Sequence, residues 1–294
     1  MASPVESDPT ESAAADNLED DPIKYRKMPY VDAVAGHELH NFWGGKVVEH
    51  TTAAGEILAL KVKTRSGLHR SEADLMHYAA THGVLAPKVR GVYDVQTKPR
   101  ARVMVSERVP GVPLAQIWDT ASESERASYK DQLRLQLNQM RECTQPFIGR
   151  LKKSGEHQKT YNIYDRLLTT YCGPFETENE FDDWCLARAI PKVGLLSRYK
   201  WKRFIEREQH EASGKFVLTH GDLTPRNIMA RDGKTTGIVD WERGGFFPEY
   251  AEYAFAMALG HGIEDWWMPV LKDILQPCSE QRVNFTRLVE NRGW

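Results

Sequence analysis

Apolar and polar side chains alternate through residues 42–63, which predicts paired strands. Lys46-Val47-Val48-Glu49-His50 and Glu56-Ile57-Leu58-Ala59-Leu60-Lys61-Val62 flank the turn-prone Ala53-Ala54-Gly55. The spacing then changes. Leu75, Met76, Ala79 and Ala80 recur at helical intervals, predicting a helix over about 71–82 with Ser71 as its cap, Glu72 in its first turn and Pro87 beyond its exit. Two further strands fit 88–95 and 102–108, joined through Thr97-Lys98-Pro99, and Pro110-Gly111 punctuates the chain.

Beyond Gly111 the pattern is mainly helical. Residues 122–143 carry Tyr129, Leu133, Leu137 and Met140 on one face. Helices are also expected over 181–189, 197–210, 249–259, 265–275 and 278–290. Short β runs fit 216–219, 227–230 and 237–239, the last two joined by the hairpin signal Asp232-Gly233. A β-rich front followed by a larger helical back is an α+β chain of two lobes. The expected division is 23–105 for the small N-lobe, 106–111 for a hinge and 112–294 for the helical C-lobe.

Composition narrows the function classes. Hydrophobic residues make up 41% of 294, enough for a sizeable core. Residues 1–22 hold seven acidic groups and no basic one, with almost no large apolar side chains, so a disordered tail is expected there. The whole chain has net charge −2, and the part beyond that tail has 39 basic against 34 acidic residues, or +5. That balance suits an anionic ligand and argues against a general nucleic-acid binder. Four cysteines (Cys143, Cys172, Cys185, Cys278) at no CxxC spacing exclude a disulfide scaffold or zinc ribbon and fit a reducing, cytoplasmic compartment. No apolar run reaches the roughly 18 residues of a membrane helix, and the acidic start is unlike a signal or transit peptide. No membrane or nucleic-acid partner is expected.

The sharpest string is His220-Gly221-Asp222-Leu223-Thr224-Pro225-Arg226-Asn227. Thirteen residues after Asn227 comes Asp240-Trp241-Glu242, at the end of an apolar run. Phosphoryl transfer needs a carboxylate to orient and deprotonate a hydroxyl, and oxygen ligands to hold magnesium against phosphates. Asp222, Asn227 and Asp240 are the right residue types in the right order. Upstream, Lys61 lies on a strand and Glu72 follows eleven residues later on the next helix. A strand lysine neutralises nucleotide phosphates, and a helical glutamate holds its ammonium in place.

These motifs resemble the aminoglycoside phosphotransferase family of the protein-kinase-like superfamily, and most of all its fungal branch. The likeness extends to Met104-Val105-Ser106-Glu107-Arg108-Val109-Pro110-Gly111, to Gly173-Pro174-Phe175, and to Asp240-Trp241-Glu242-Arg243-Gly244-Gly245-Phe246-Phe247-Pro248-Glu249-Tyr250. It covers about 42–259. The resemblance implies a two-lobed protein-kinase-like fold with Mg²⁺ and ATP in the cleft and a small-molecule substrate. Acidic and aromatic side chains after Asp240 would suit an amine-bearing one. The resemblance also implies Asp222 as catalytic base, Asn227 and Asp240 as magnesium ligands, and Lys61 on the α/β-phosphates with Glu72 orienting it. Adenine would meet the backbone at Glu107 and Val109, and His220 would be structural.

One departure stands out: the nucleotide loop should lie near Trp43-Gly44-Gly45-Lys46, yet no G-x-G-x-x-G is present. Arg226 reads equally as a phosphate contact or a solvated side chain. Trp241, Glu242, Glu249, Tyr250 and Glu252 either line the acceptor side or simply pack and solvate. Gly233-Lys234-Thr235 is a hairpin turn rather than a Walker A end, and His37-Glu38-Leu39-His40 is ordinary strand or loop. The chain reaches a helix soon after Asp240 without a long activation segment, which favours a small acceptor. The alternative is the same fold repurposed as a non-phosphorylating enzyme or nucleotide-binding interaction module.

Overall fold

The computed structural model describes residues 34–42, 44–151, 157–158, 160–161, 171–189, 193–211, 213–259 and 264–291. The acidic segment 1–22 lies outside them. Strands β1 (His37–Phe42), β2 (Gly45–Thr51) and β3 (Ile57–Thr64) lead into helix α1 (Arg70–Thr81), followed by β4 (Val89–Val95) and β5 (Ala101–Glu107). The five strands form one antiparallel sheet in the order β1-β2-β3-β5-β4.

Strand alternation gives this sheet two unlike faces. Leu60 and Val62 of β3 share one with Val103 and Val105 of β5, as a small separate cluster. Lys61 lies on the other, in register with Met104, which joins Leu75, Met76 and Ala79 of α1 in the main core. Helix α1 starts earlier than the pattern suggests. His69 is its N-cap without a side-chain bond, and Ser71 is inside the helix. The expected cap fails because the Ser71 hydroxyl is engaged elsewhere: it is buried and accepts from Arg150 Nη1 at 3.2 Å.

After β5 come β6 (Val112–Pro113), α2 (Leu114–Ile117), α3 (Glu123–Glu142), β7 (Thr144–Gln145) and β8 (Arg150–Leu151). Gly111 sits at φ 95°, where an added Cβ would fall 2.2 Å from the Ala230 carbonyl oxygen, so only glycine permits this approach. Helix α3 opens with a capping box between Ser122 and Glu125 and buries Tyr129, Leu133, Leu137 and Met140, the face its sequence pattern marks. Such a cap contributes about 1 kcal/mol.

Short pairs β8 with β9 (His157–Gln158) and β10 (Thr160–Tyr161) with β11 (Tyr171–Cys172) precede α4 (Glu178–Ala189) and α5 (Leu195–Glu211). Then follow β12 (Phe216–Thr219), β13 (Ile228–Arg231), β14 (Lys234–Ile238), β15 (Gly245–Pro248), α6 (Ala251–Leu259), α7 (Trp267–Ile274) and α8 (Glu280–Asn291). Asp232 and Gly233, at φ 52° and 72°, close the β13–β14 hairpin as the Asp-Gly signal predicts. Strand β15 is a departure. It pairs antiparallel with β12 and is buried along its length, so it shows no alternation to read.

The core runs through both lobes, from Leu75 and Met104 to Phe216, Phe246, Phe255 and Trp267. Behind it, Arg282 of α8 is 2% exposed, donates to both Asp182 oxygens of α4 at 2.6 and 3.0 Å, and lies 4.3 Å over the Tyr250 ring. Among the described residues no helix is long and apolar enough to cross a membrane. The expected α+β arrangement of a small β-rich lobe and a larger helical one is the arrangement that forms.

Candidate active site

The loop between β12 and β13 carries the string around Asp222. His220 is fully buried. Its Nε2–H donates to the Val239 carbonyl at 3.0 Å and its Nδ1 accepts from the Asp222 amide at 3.3 Å, so two opposed bonds set the tautomer. From α6, the Glu252 carboxylate accepts from the His220 amide at 2.6 Å and the Gly221 amide at 3.1 Å. From α7, Trp267 Nε1 donates to the Leu223 carbonyl at 2.9 Å. The loop is thus tied at several points before Thr224.

Asn227 folds back onto Asp222. Its amide nitrogen donates to the Asp222 carbonyl at 2.9 Å and to Oδ2 at 3.3 Å. The Val239 amide donates to the Asn227 carbonyl at 2.8 Å, which sets the strand end carrying Asp240 beside Asn227. Asp240 takes a left-handed backbone, φ 66° and ψ 64°, at the start of the Trp241–Arg243 3₁₀ turn. Aspartate tolerates this conformation better than most residues.

Lys61 joins the sheet to this turn. Its Nζ donates to Glu72 Oε1 at 2.8 Å, Asp240 Oδ1 at 2.7 Å and Glu242 Oε2 at 3.2 Å. Burial alone would push the Lys61 ammonium down. The charges of Asp240, Glu72 and Glu242 outweigh it and hold the group well above the usual lysine range. Burial pushes the Asp222 carboxyl up, opposed by His220 and reinforced by Asp240. The structure therefore brings Lys61, Glu72 and Asp240 into contact, with Asn227 and Asp222 beside the strand end that carries Asp240.

Glu107 and Val109 lie apart from that cluster, at the end of β5 and the start of the crossover. The Glu107 amide donates to the Lys88 carbonyl at 2.9 Å, and its carboxylate pairs with Arg90 at 3.0 Å. The Val109 carbonyl accepts from the Arg108 guanidinium, and its side chain packs against Gly237 of β14.

Several side chains near the turn are packed or paired within the chain, the second of the two roles the sequence leaves open for them. Glu242 pairs with Lys61 and, at 2.5 Å, with Lys63; burial would raise its carboxyl, but the two lysines pull it far below the usual range. Glu249 pairs with Arg141 at 3.0 Å, Tyr250 packs on Arg282, and Trp241 is fully buried with Nε1 donating to the Ile238 carbonyl at 2.9 Å. Arg226 is exposed and 3.8 Å from Glu264. No motif marks Arg150, yet it is fully buried. It donates to the carbonyls of Gly244 at 2.7 Å and Trp241 at 3.4 Å and to that of Glu242, bracing the Asp240 turn against α1.

The profile of the phosphotransferase enzyme family matches residues 45–276 of this chain. No curated protein is matched by sequence. Among solved structures, aminoglycoside phosphotransferase APH(4)-Ia superposes with a TM-score of 0.57 at 14% identity, covering 87% of this chain and 83% of its own. A putative fructosamine-3-kinase from Thermobifida fusca also gives 0.57, at 17% identity over 87% and 84%. Macrolide 2′-phosphotransferase MphH from Brachybacterium faecium gives 0.50, at 14% identity over 85% and 81%. At such identities the likeness establishes the kinase-like fold. Thermostable mutants of APH(4)-Ia form ternary complexes of hygromycin B with AMP-PNP or ADP.

Proposed function

The chain belongs to the phosphotransferase enzyme family, and on that premise we propose that it transfers the γ-phosphate of ATP to a hydroxyl group of a small molecule. One observation carries the reading. A single ammonium, Lys61, spans from Glu72 in the small lobe to Asp240 in the large one, beside the Asp222–Asn227 pair. That is the arrangement a phosphoryl-transfer cleft requires.

In this reading 23–105 form the N-lobe, 106–111 the hinge and 112–294 the C-lobe. Adenine would lie against the backbone of Glu107 and Val109, and the phosphates against Lys61. Asp222 would accept the proton of the acceptor hydroxyl at its carboxylate. Its raised proton affinity suits that task, since a stronger base takes a proton more readily. Asn227 fixes the Asp222 carboxylate through its amide nitrogen, while Glu252 fixes the loop behind it.

The donor set fits magnesium. Asp240 offers carboxylate oxygens, and Asn227, whose nitrogen serves Asp222, has its amide oxygen as the remaining acceptor. Among the described residues no group of three or more His, Cys, Asp or Glu side chains forms a metal cage. Magnesium needs none, because it takes one or two protein ligands and completes its shell with water and phosphate oxygens. When bound, it would neutralise charge on the phosphates.

A small acceptor is favoured because only the 3₁₀ turn and β15 separate Asp240 from α6. For an amine-bearing acceptor, Glu242, Glu249 and Glu252 already have partners in Lys61 and Lys63, Arg141 and the loop amides, so an amine there would compete with those contacts. The test is ATP consumption with Mg²⁺ across hydroxylated compounds, beginning with hygromycin B, macrolides and fructosamines. Acceptor-dependent ADP release that Asp222→Asn abolishes is expected; nucleotide binding without transfer to any acceptor would favour the binding-module alternative.

A further inference from the structure

Nucleotide binding through Lys61 and Asp240 leaves two charged residues of the cleft without a role, Lys63 and Glu242, and a role for them rests on that reading. Side chains two apart on a strand share a face, so Lys63 lies beside Lys61 on the side of the sheet that meets α1 and the Asp240 turn. In register, Lys63 faces Gly45 of β2, which has no side chain to compete for that space. The sequence has no G-x-G-x-x-G near this end of the sheet, so the positive charge for a phosphate chain comes from side chains.

Glu242 reaches both ammonium groups from the opposite lobe with one oxygen, Oε2, at 3.2 Å from Lys61 Nζ and 2.5 Å from Lys63 Nζ. An ammonium has three N–H donors, and Lys61 meets three carboxylates, Glu72, Asp240 and Glu242. A phosphate oxygen therefore reaches Lys61 only by displacing one of them. Glu72 is 2% exposed and enclosed by α1. Asp240 makes the shorter contact on the shorter side chain. Asp240 is the more exposed of the two, 36% against 21%, but Glu242 makes the longest of the three contacts to Lys61. Glu242 also has an extra rotatable bond on a turn whose backbone Arg150 holds fixed, so its carboxylate can leave Lys61 without moving the chain. Glu242 is the carboxylate that yields.

We propose that Lys63 is a second phosphate-binding cation of this cleft, and that Glu242 competes with the phosphate chain for Lys61 and Lys63 and thereby sets nucleotide affinity. A carboxylate oxygen shared by two ammonium groups occupies the coordination a bridging phosphate oxygen would take. The two anions exclude one another there.

Titration calorimetry of the full chain with Mg·AMP-PNP tests this, with the urea midpoint of each variant measured alongside to show that it is folded. Glu242→Gln binds about tenfold tighter and Lys63→Met about tenfold weaker, the size of one charge-assisted hydrogen bond. Lys63→Arg stays within about threefold, since it keeps the charge. In the Lys63→Met background the gain from Glu242→Gln shrinks, because the contact being relieved has lost one partner. If Glu242→Gln does not fold, Lys63→Met and Lys63→Arg decide the matter. Unchanged or weaker binding by folded Glu242→Gln, or unchanged binding by Lys63→Met, overturns the inference while the nucleotide reading stands. No binding by the wild-type chain, or binding indifferent to Asp240→Asn, overturns that reading and this inference with it.

Discussion

Glu252 offers a way to disturb the loop that carries Asp222 without touching any group proposed for the chemistry. Its carboxylate accepts from the amides of His220 and Gly221, both buried residues, at 2.6 and 3.1 Å. Glu252→Ala removes both acceptors at once. A buried N–H left unpaired costs about 1–3 kcal/mol. Because Glu252 is only partly buried, water can reach part of the gap and keep the sum toward the low end. The expected loss is about 2–4 kcal/mol. Glu252→Gln keeps one acceptor oxygen but sets an –NH₂ against the other amide, for about 1–2 kcal/mol. Urea unfolding measures both as shifts in midpoint at constant slope. Asp222 is the next residue after Gly221, so turnover falls in the same order, alanine below glutamine, while Mg-nucleotide affinity changes much less. A loss under about 1 kcal/mol for Glu252→Ala, or a glutamine variant no more stable than the alanine one, refutes the anchoring role.

Lys61→Met strips the buried Glu72 of its cation and should cost about 3 kcal/mol, partly restored by adding Glu72→Gln, with Mg·AMP-PNP binding weakened at least roughly tenfold. Calorimetry and urea titration check the two effects separately, and intact binding would remove Lys61 from the phosphate site. Burial and the neighbouring Asp182 push the Glu178 carboxyl up from 4.5 to about 7, against the pull of Arg282. The folded chain then keeps a proton that the unfolded chain releases, so this group's contribution to stability falls as pH rises from about 4.5 to about 7. Glu178→Gln should gain on the wild type across that window by up to about 3 kcal/mol, and a pH-independent gap in urea midpoints would refute it. Arg282→Met leaves Asp182 buried and unpaired and should destabilise by about 3–5 kcal/mol; a loss below about 1 kcal/mol would show the cluster is not a structural brace.

The parts of this molecule that local pattern dictates are legible in its sequence. Strand alternation and an Asp-Gly turn are local signals, and β2, β3, β5, β13 and the buried face of α3 follow from them within a residue or two, while β14 starts at Lys234, three residues before the apolar run that marks it. The contacts that complete the site are not local. Ser71 reads as a helix cap until a guanidinium 79 residues away takes its hydroxyl. Arg150 belongs to a two-residue strand in a stretch with no periodicity, and only the folded chain sets it under the Asp240 turn. Glu242 and Glu252 look alike on paper, two acidic residues that follow Asp240. One turns to the lysines of β3 and the other to the amides of His220 and Gly221, a distinction made by tertiary packing alone. The alternation of β3 does place Lys63 beside Lys61, and that signal is present in the sequence.

The most direct test of the whole account is transfer of labelled γ-phosphate from ATP to a hydroxylated acceptor, comparing the wild-type chain with Asp222→Asn. The substitution keeps shape and most hydrogen bonding at the Asn227 contact while removing the proton acceptor. General-base catalysis contributes about 10²–10⁴-fold. Turnover should fall by about that factor, with Mg·AMP-PNP affinity changed far less. Transfer at close to the wild-type rate in Asp222→Asn would contradict phosphoryl transfer through this site.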